Sequence, residues 1–121
     1  MTPNDVRRFA LALPRTTEEP QLSCSFFRVR GSVFATIPPG RRLLHVFLND
    51  EDSAFAASAH PEFVEPLVWD DHVVGVRISL ADATPKFVER LLNQAWARSE
   101  GKRLLEGVAI RTSGGHRRIV V

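Results

Sequence analysis

Phe26-Phe27-Arg28-Val29-Arg30-Gly31-Ser32-Val33-Phe34-Ala35-Thr36 decides how this chain is read. Before the glycine the residues alternate, with Phe27 and Val29 on one side and Phe26, Arg28 and Arg30 on the other. Successive side chains of a strand point to opposite faces, so the pattern predicts a strand over 24–30 with one apolar and one arginine-bearing face. A tight turn is predicted at Gly31-Ser32. Beyond it, Val33, Ala35 and Ile37 predict a strand over 33–37, and Leu44, Val46 and Leu48 another over 42–48. Three strands in succession predict an antiparallel meander with one wet, basic face.

Helical signals flank the meander. Thr2-Pro3-Asn4-Asp5 reads as a capped helix start, followed by Val6, Phe9, Ala10 and Leu13 on one face and a stop at Pro14. Residues 15–23 are polar, contain Pro20 and read as a connection. Asn49-Asp50-Glu51-Asp52 opens a second helix whose acids suit its positive end, with Phe55, Ala56 and Ala59 as burial candidates. His60-Pro61 ends it, Pro61–Val64 reads as one further turn, and Leu67-Val68-Trp69 as a brief pairing segment. Residues 73–80 alternate as a strand. Thr84-Pro85 starts the strongest helix, in which Phe87, Val88, Leu91, Leu92, Ala95 and Trp96 keep helical spacing and Gly101 reads as the stop. The expected architecture is α+β: a mostly antiparallel meander sheet with the N-terminal and C-terminal helices packed on one face.

A chain of 121 residues is expected to form one domain with a real core. The basic residues are fourteen arginines against two lysines, yet the formal net charge is only +2. Charge of that size does not by itself mark a nucleic-acid binder, so clustering has to decide. A single cysteine, Cys24, excludes an internal disulfide and suits a reducing compartment. The opening residues lack the basic-then-apolar pattern of a leader, and no apolar run is long enough to span a bilayer. The expectation is a cytoplasmic protein with no membrane role.

Four constellations were candidates for chemistry. The first is a basic surface: Arg28, Arg30 and Arg77 at alternate strand positions, with Arg41 and Arg42 on the loop after Pro38-Pro39-Gly40. Guanidinium groups offer forked donors that match phosphate, and strands are a known means of engaging nucleic acid. The competing reading is a set of solvated arginines paired with Glu18, Glu19, Asp70 or Asp71. The second is a pocket around Trp69, Asp71 and His72, where a carboxylate beside an imidazole would tune its titration. A turn before a strand accounts for Asp70-Asp71 equally well, and no nucleophile lies near. The third is metal, which the wide separation of His45, His60, His72 and His116 argues against. The fourth is a phosphate loop, for which Ser113-Gly114-Gly115 and Pro39-Gly40 lack the strand–loop–helix context. No cofactor is expected, and no residue set supports an enzyme.

Phe27-Arg28-Val29-Arg30-Gly31 followed by Phe34-Ala35-Thr36 resembles the MmcQ/YjbR-like family. His60-Pro61-Glu62-Phe63-Val64, Val74-Gly75-Val76 with Leu80, and the helix from Phe87 to Trp96 with Lys102-Arg103-Leu104 fit it in the same order. The early Leu13-Pro14 and Thr17-Glu18-Glu19 fit as well. The resemblance spans roughly residues 3–104. It implies a CyaY-like (frataxin-like) α+β domain over 1–104 and DNA as a partner, through a proposed double wing of β-hairpins. On this chain the wings would be the 24–37 and 33–48 hairpins, with Arg28, Arg30, Arg41 and Arg42 on or near them. The chain departs from the family at Ser32, where a lysine is common, and at Val73, where a tryptophan is common. Iron binding, which a frataxin-like fold suggests through an acidic first helix, is disfavoured because that helix carries Arg7 and Arg8 with Asp5 alone.

The tail over 105–121 lies outside the resemblance. Val108–Ile110 and Ile119–Val121 read there as a hairpin or an added edge strand. Two functional readings follow: non-enzymatic DNA binding through the basic hairpin face, or a protein-interaction module that homodimerises through the tail.

Overall fold

A computed structural model of the chain describes the backbone of residues 1–40 and 42–113 and the side chains of residues 1–40 and 42–101. In chain order the elements are α1 (Pro3–Ala12), β1 (Thr16–Gln21), β2 (Cys24–Val29), β3 (Ser32–Ile37), β4 (Leu43–Phe47), α2 (Asp50–Ala59), β5 (Val64–Trp69), β6 (His72–Ser79) and α3 (Pro85–Ser113). The strands form one sheet in the order β1-β2-β3-β4-β6-β5, and every neighbouring pair is antiparallel. The fold is α+β.

Helix α1 begins as its sequence dictates. The Thr2 hydroxyl accepts from the Asp5 N–H at 3.1 Å, and the Asp5 carboxylate accepts from the Thr2 N–H at 2.9 Å. This reciprocal pair satisfies two backbone donors that the first turn would otherwise leave free. It also holds the Asp5 carboxyl below the usual carboxylate range.

The core lies on one face of the sheet. Phe27, Ala35, Val46 and Val76 stand side by side across four strands and are fully buried. Leu44, Ile78 and Val64 form a second buried row. Helix α3 adds Val88, Leu91, Leu92 and Ala95, α1 adds Val6 and Ala10, and α2 adds Ala56 to the same cluster. The His60 ring after α2 stacks on Phe63 and meets Phe87 of α3 edge-on, with centroids 4.8 and 4.4 Å away. All three helices therefore cover this face, and among the described residues none covers the other.

Several local expectations change. Residues 16–21 form an edge strand rather than a connection. Its helix-side contact is an ion pair, so no apolar alternation marks it: Arg7 grips Glu18 with Nε to Oε1 at 2.7 Å and Nη2 to Oε2 at 2.9 Å. The meander is interrupted after β4, because β6 inserts between β4 and β5. Phe34 is an extra residue between the pairs Phe27–Ala35 and Arg28–Val33. This bulge buries Phe34 beside Ala35 and puts Val33 on the side of Arg28 instead. In α2 the buried positions are Ser53 and Ala56, while Phe55 is 62% exposed. Gly101 does not stop α3, which continues through the strong helix formers of 102–106 to Ser113. Val108–Ile110 is therefore helical and supplies no edge strand, and Ile119–Val121 lies outside the described residues.

Among the described residues, three hairpins turn through two residues of positive φ. They are Leu22-Ser23 (53° and 66°), Arg30-Gly31 (52° and 84°) and Asp70-Asp71 (54° and 63°). Positive φ at both central residues is the type I′ geometry, whose twist matches that of the flanking strands. The central turn is thus one residue earlier than Gly31-Ser32, and this moves Arg30 out of the strand.

Candidate nucleic-acid interface

The helix-free face is organised by strand register. Glu19, Phe26, Thr36, His45, Arg77 and Glu65 are consecutive cross-strand partners, a single row running over all six strands. Arg28 and Phe47 stand two residues along β2 and β4, on the same face. Thr36 is nearly buried, while Phe26, Arg28, His45, Phe47 and Arg77 are half-buried. The face is therefore a floor of aromatic, aliphatic and small polar groups, Val33 and Leu67 among the aliphatic ones, with arginines in it and a carboxylate near each edge.

The two face arginines are held differently. Arg28 donates through Nε to Glu19 at 2.9 Å and through Nη1 to the Gly31 carbonyl at 3.3 Å, and its guanidinium lies 6.0 Å from the Phe26 ring centroid. Arg77 reaches Glu65 only at 3.9 Å through Nη1, and its Nε is buried with no acceptor. Its hydrogen-bonding capacity is largely unspent. His45 stands beside it, and burial, helped by the Arg77 charge, pushes the imidazole below its ordinary pKa of about 6.5. At neutral pH it is an uncharged ring that can stack, donate or accept.

The other predicted basic residues do not join them. Arg30 donates to Glu100 of α3 at 3.2 Å, and Arg15 grips the same carboxylate oxygen. These two guanidinium groups hold the Glu100 carboxyl below its usual range. Arg30 thus braces the hairpin against the helix layer and is spent away from the open face. Arg42 is exposed in the β3–β4 loop and makes no ion pair among the described residues. Arg41 lies outside them.

The expected pocket is split. Trp69 lines an open cleft of about 690 Å³ with Val33, Phe47, Val73 and Arg98. Asp71 and His72 line a separate one of about 350 Å³ with Asp50 and Ser53. All three residues are exposed, with Asp71 in the type I′ turn and Trp69 and His72 as the pair closing it. They form no concave, buried group. Among the described residues no three His, Cys, Asp or Glu side chains gather to hold a metal ion. None of the described helices is long and apolar enough to cross a membrane.

Thr36, His45 and Phe47 are the face residues that sequence reasoning passed over. Positions 45 and 47 alternate with the buried Leu44, Val46 and Leu48, which was the signal available. The relation of both to Arg77 depends on β6 pairing with β4, which no local pattern reveals.

The family model for YjbR matches residues 11–98. The chain belongs to the YjbR family. The crystal structure of Deinococcus radiodurans protein DR2400, which carries the family-model domain DUF419, has a similar fold. Its TM-score is 0.66 at 20% identity, covering 78% of this chain and 75% of that one. No curated protein matches the chain. The family and the α+β fold are thus both as the sequence implied.

Proposed function

We propose that this YjbR-family protein is a non-enzymatic nucleic-acid-binding protein, with DNA as a partner, that uses the helix-free face of its sheet in a reducing, cytoplasmic setting. The observation that carries this reading is the row Phe26–Thr36–His45–Arg77 with Arg28 beside it. It combines phosphate-matching guanidinium groups with ring surfaces on a face that none of the described helices covers. Sheet spacing places the Arg28 and Arg77 backbones about 16 Å apart, so they can serve different phosphates of one strand.

Fluorescence anisotropy with labelled DNA and RNA, single-stranded and duplex, tests the proposal. Three cations, Arg28 and Arg77 on the face and Arg42 in the exposed β3–β4 loop, give an expected slope of log affinity against log salt of about −2 to −3. Arg77→Gln should make the slope shallower by roughly one phosphate contact. No binding of any of the four probes at 50 mM salt ends this reading.

A second reading is a protein-contact surface at the β5–β6 end. Val68, Trp69 and Val73 are exposed there by 58%, 68% and 38%. Clustered exposed apolar side chains mark contact sites more often than scattered ones do. Light scattering across concentration tests self-association. A monomer throughout removes a homodimer, while a mass that falls when Trp69→Ser is introduced supports one through this end.

A further inference from the structure

We infer that the nucleic acid taken by the open face is single-stranded, with bases stacked on Phe26 and Phe47 and the backbone tracking the arginines. The inference rests on the nucleic-acid reading above and names the form of its ligand.

Breadth is the first reason. Six strands about 4.8 Å apart place the edge strands about 24 Å from each other. The major groove of duplex DNA is about 12 Å wide and admits a helix or a two-stranded ribbon, so the face cannot enter it. A duplex would have to be met by hairpin tips, and the three described two-residue tips are poorly equipped. Leu22-Ser23 is uncharged, Asp70-Asp71 is acidic, and Arg30 of Arg30-Gly31 is engaged with Glu100. The β3–β4 loop presents Arg42, exposed and outside the sheet's row.

The composition of the face is the second reason. Glu19 and Glu65 stand at the two ends of the row and Arg28 already holds Glu19, so the positive charge is too sparse to match the dense phosphates of a duplex. Ring surface is what the face offers instead. Phe26 on β2 and Phe47 on β4 are separated by β3, which puts them about 12 Å apart by sheet spacing, and the uncharged His45 stands on the Phe47 strand in the row of Phe26. Gly75, the cross-strand partner of Phe47, brings no side chain to cover that ring. Splayed bases stack on such platforms regardless of sequence, while guanidinium groups hold the backbone. A single-stranded segment of about four nucleotides is the matching ligand.

Anisotropy with the full chain decides the matter, using a labelled twelve-residue oligo-dT, a twelve-residue oligo-U and a hairpin duplex of mixed sequence. The expected result is at least tenfold tighter binding of the single strands than of the duplex. In Phe26→Leu/Phe47→Leu, which keeps apolar bulk and removes both rings, single-strand affinity should fall at least tenfold with little change in salt slope. Each substitution is also made alone, with circular dichroism melting as the folding check, and a folded single variant should lose at least threefold. Equal or tighter duplex binding overturns this inference and leaves the nucleic-acid reading standing. Single-strand affinity unchanged in the folded leucine variants also overturns it. Failure of every probe to bind overturns both.

Discussion

Replacing Gly75 by alanine tests the packing that builds the open face. A Cβ at that position would lie 2.0 Å from the Val46 carbonyl oxygen and 2.9 Å from the Phe47 Cα. Both are backbone atoms of β4, so no flexible side chain can swing aside. Restoring ordinary contact requires β4 and β6 to separate by about 1.5 Å, judged from van der Waals distances. The Leu48 N–H to Val74 carbonyl bond spans the same junction at 3.2 Å and would pass beyond hydrogen-bond length. Leu48 is buried, so its orphaned donor costs about 1–3 kcal/mol. Overpacking adds about 1–3 kcal/mol. The expected loss is therefore about 2–6 kcal/mol, a large share of the 5–15 kcal/mol typical of a domain.

Urea unfolding followed by circular dichroism measures it. A slope of about 2 kcal/mol/M turns a loss of 4 kcal/mol into a midpoint about 2 M lower. Gly31→Ala is the control, because nothing lies within 4 Å of that position and its only penalty is the positive φ of 84°. Its cost should be about 1–2 kcal/mol. A Gly75→Ala protein within 1 kcal/mol of the parent, or less damaged than Gly31→Ala, would refute the claim that β4 and β6 leave no room there.

Further outcomes follow from single observations. Leu22 and Ser23 hold positive φ at a hairpin tip, and Leu22 is 91% exposed, so Leu22→Asn with Ser23→Gly should stabilise the protein by about 1 kcal/mol in the same urea assay; a lower midpoint would count against a type I′ turn. The folded-state pKa of Glu100 lies below its unfolded value, so the stability it contributes is present at neutral pH and lost as pH falls from about 4.5. Glu100→Gln should accordingly be less stable than the parent at pH 7, with the gap closing in acid; a gap independent of pH would mean that the ion pairs to Arg15 and Arg30 contribute nothing. His45 should titrate below 6.5 by NMR and move upward in Arg77→Gln, burial accounting for what remains of the shift. An unmoved midpoint would separate the two side chains that the register places together.

How much was legible depends on the range of the determinant. The α1 cap, the apolar stripe of α3 and the existence of three strands over 24–48 are each written within about ten residues and formed as read, while the turn position and the Phe34 bulge did not. β1 was missed because its inward contact is the Arg7–Glu18 pair, which leaves no hydrophobic period to detect. Both edge strands carry a proline, Pro20 and Pro66, which weakens the strand signal and also blunts the edges against pairing with another chain. The place of β6 between β4 and β5 is a long-range choice, invisible to any local window.

The same distinction explains the fate of the arginines. Alternation placed Arg28 and Arg77 on the open face correctly, because face follows from parity within a regular strand. Arg30 has the parity of Arg28, yet a type I′ turn one residue earlier than the glycine suggested removed it from the strand and delivered it to Glu100, seventy residues away in sequence. One residue of register thus converts a surface cation into a brace between hairpin and helix. What remains on the face is less charge and more ring surface than the sequence advertised. That shift in balance, more than any single contact, is why a stacked single strand fits this surface better than a duplex held by basic wings.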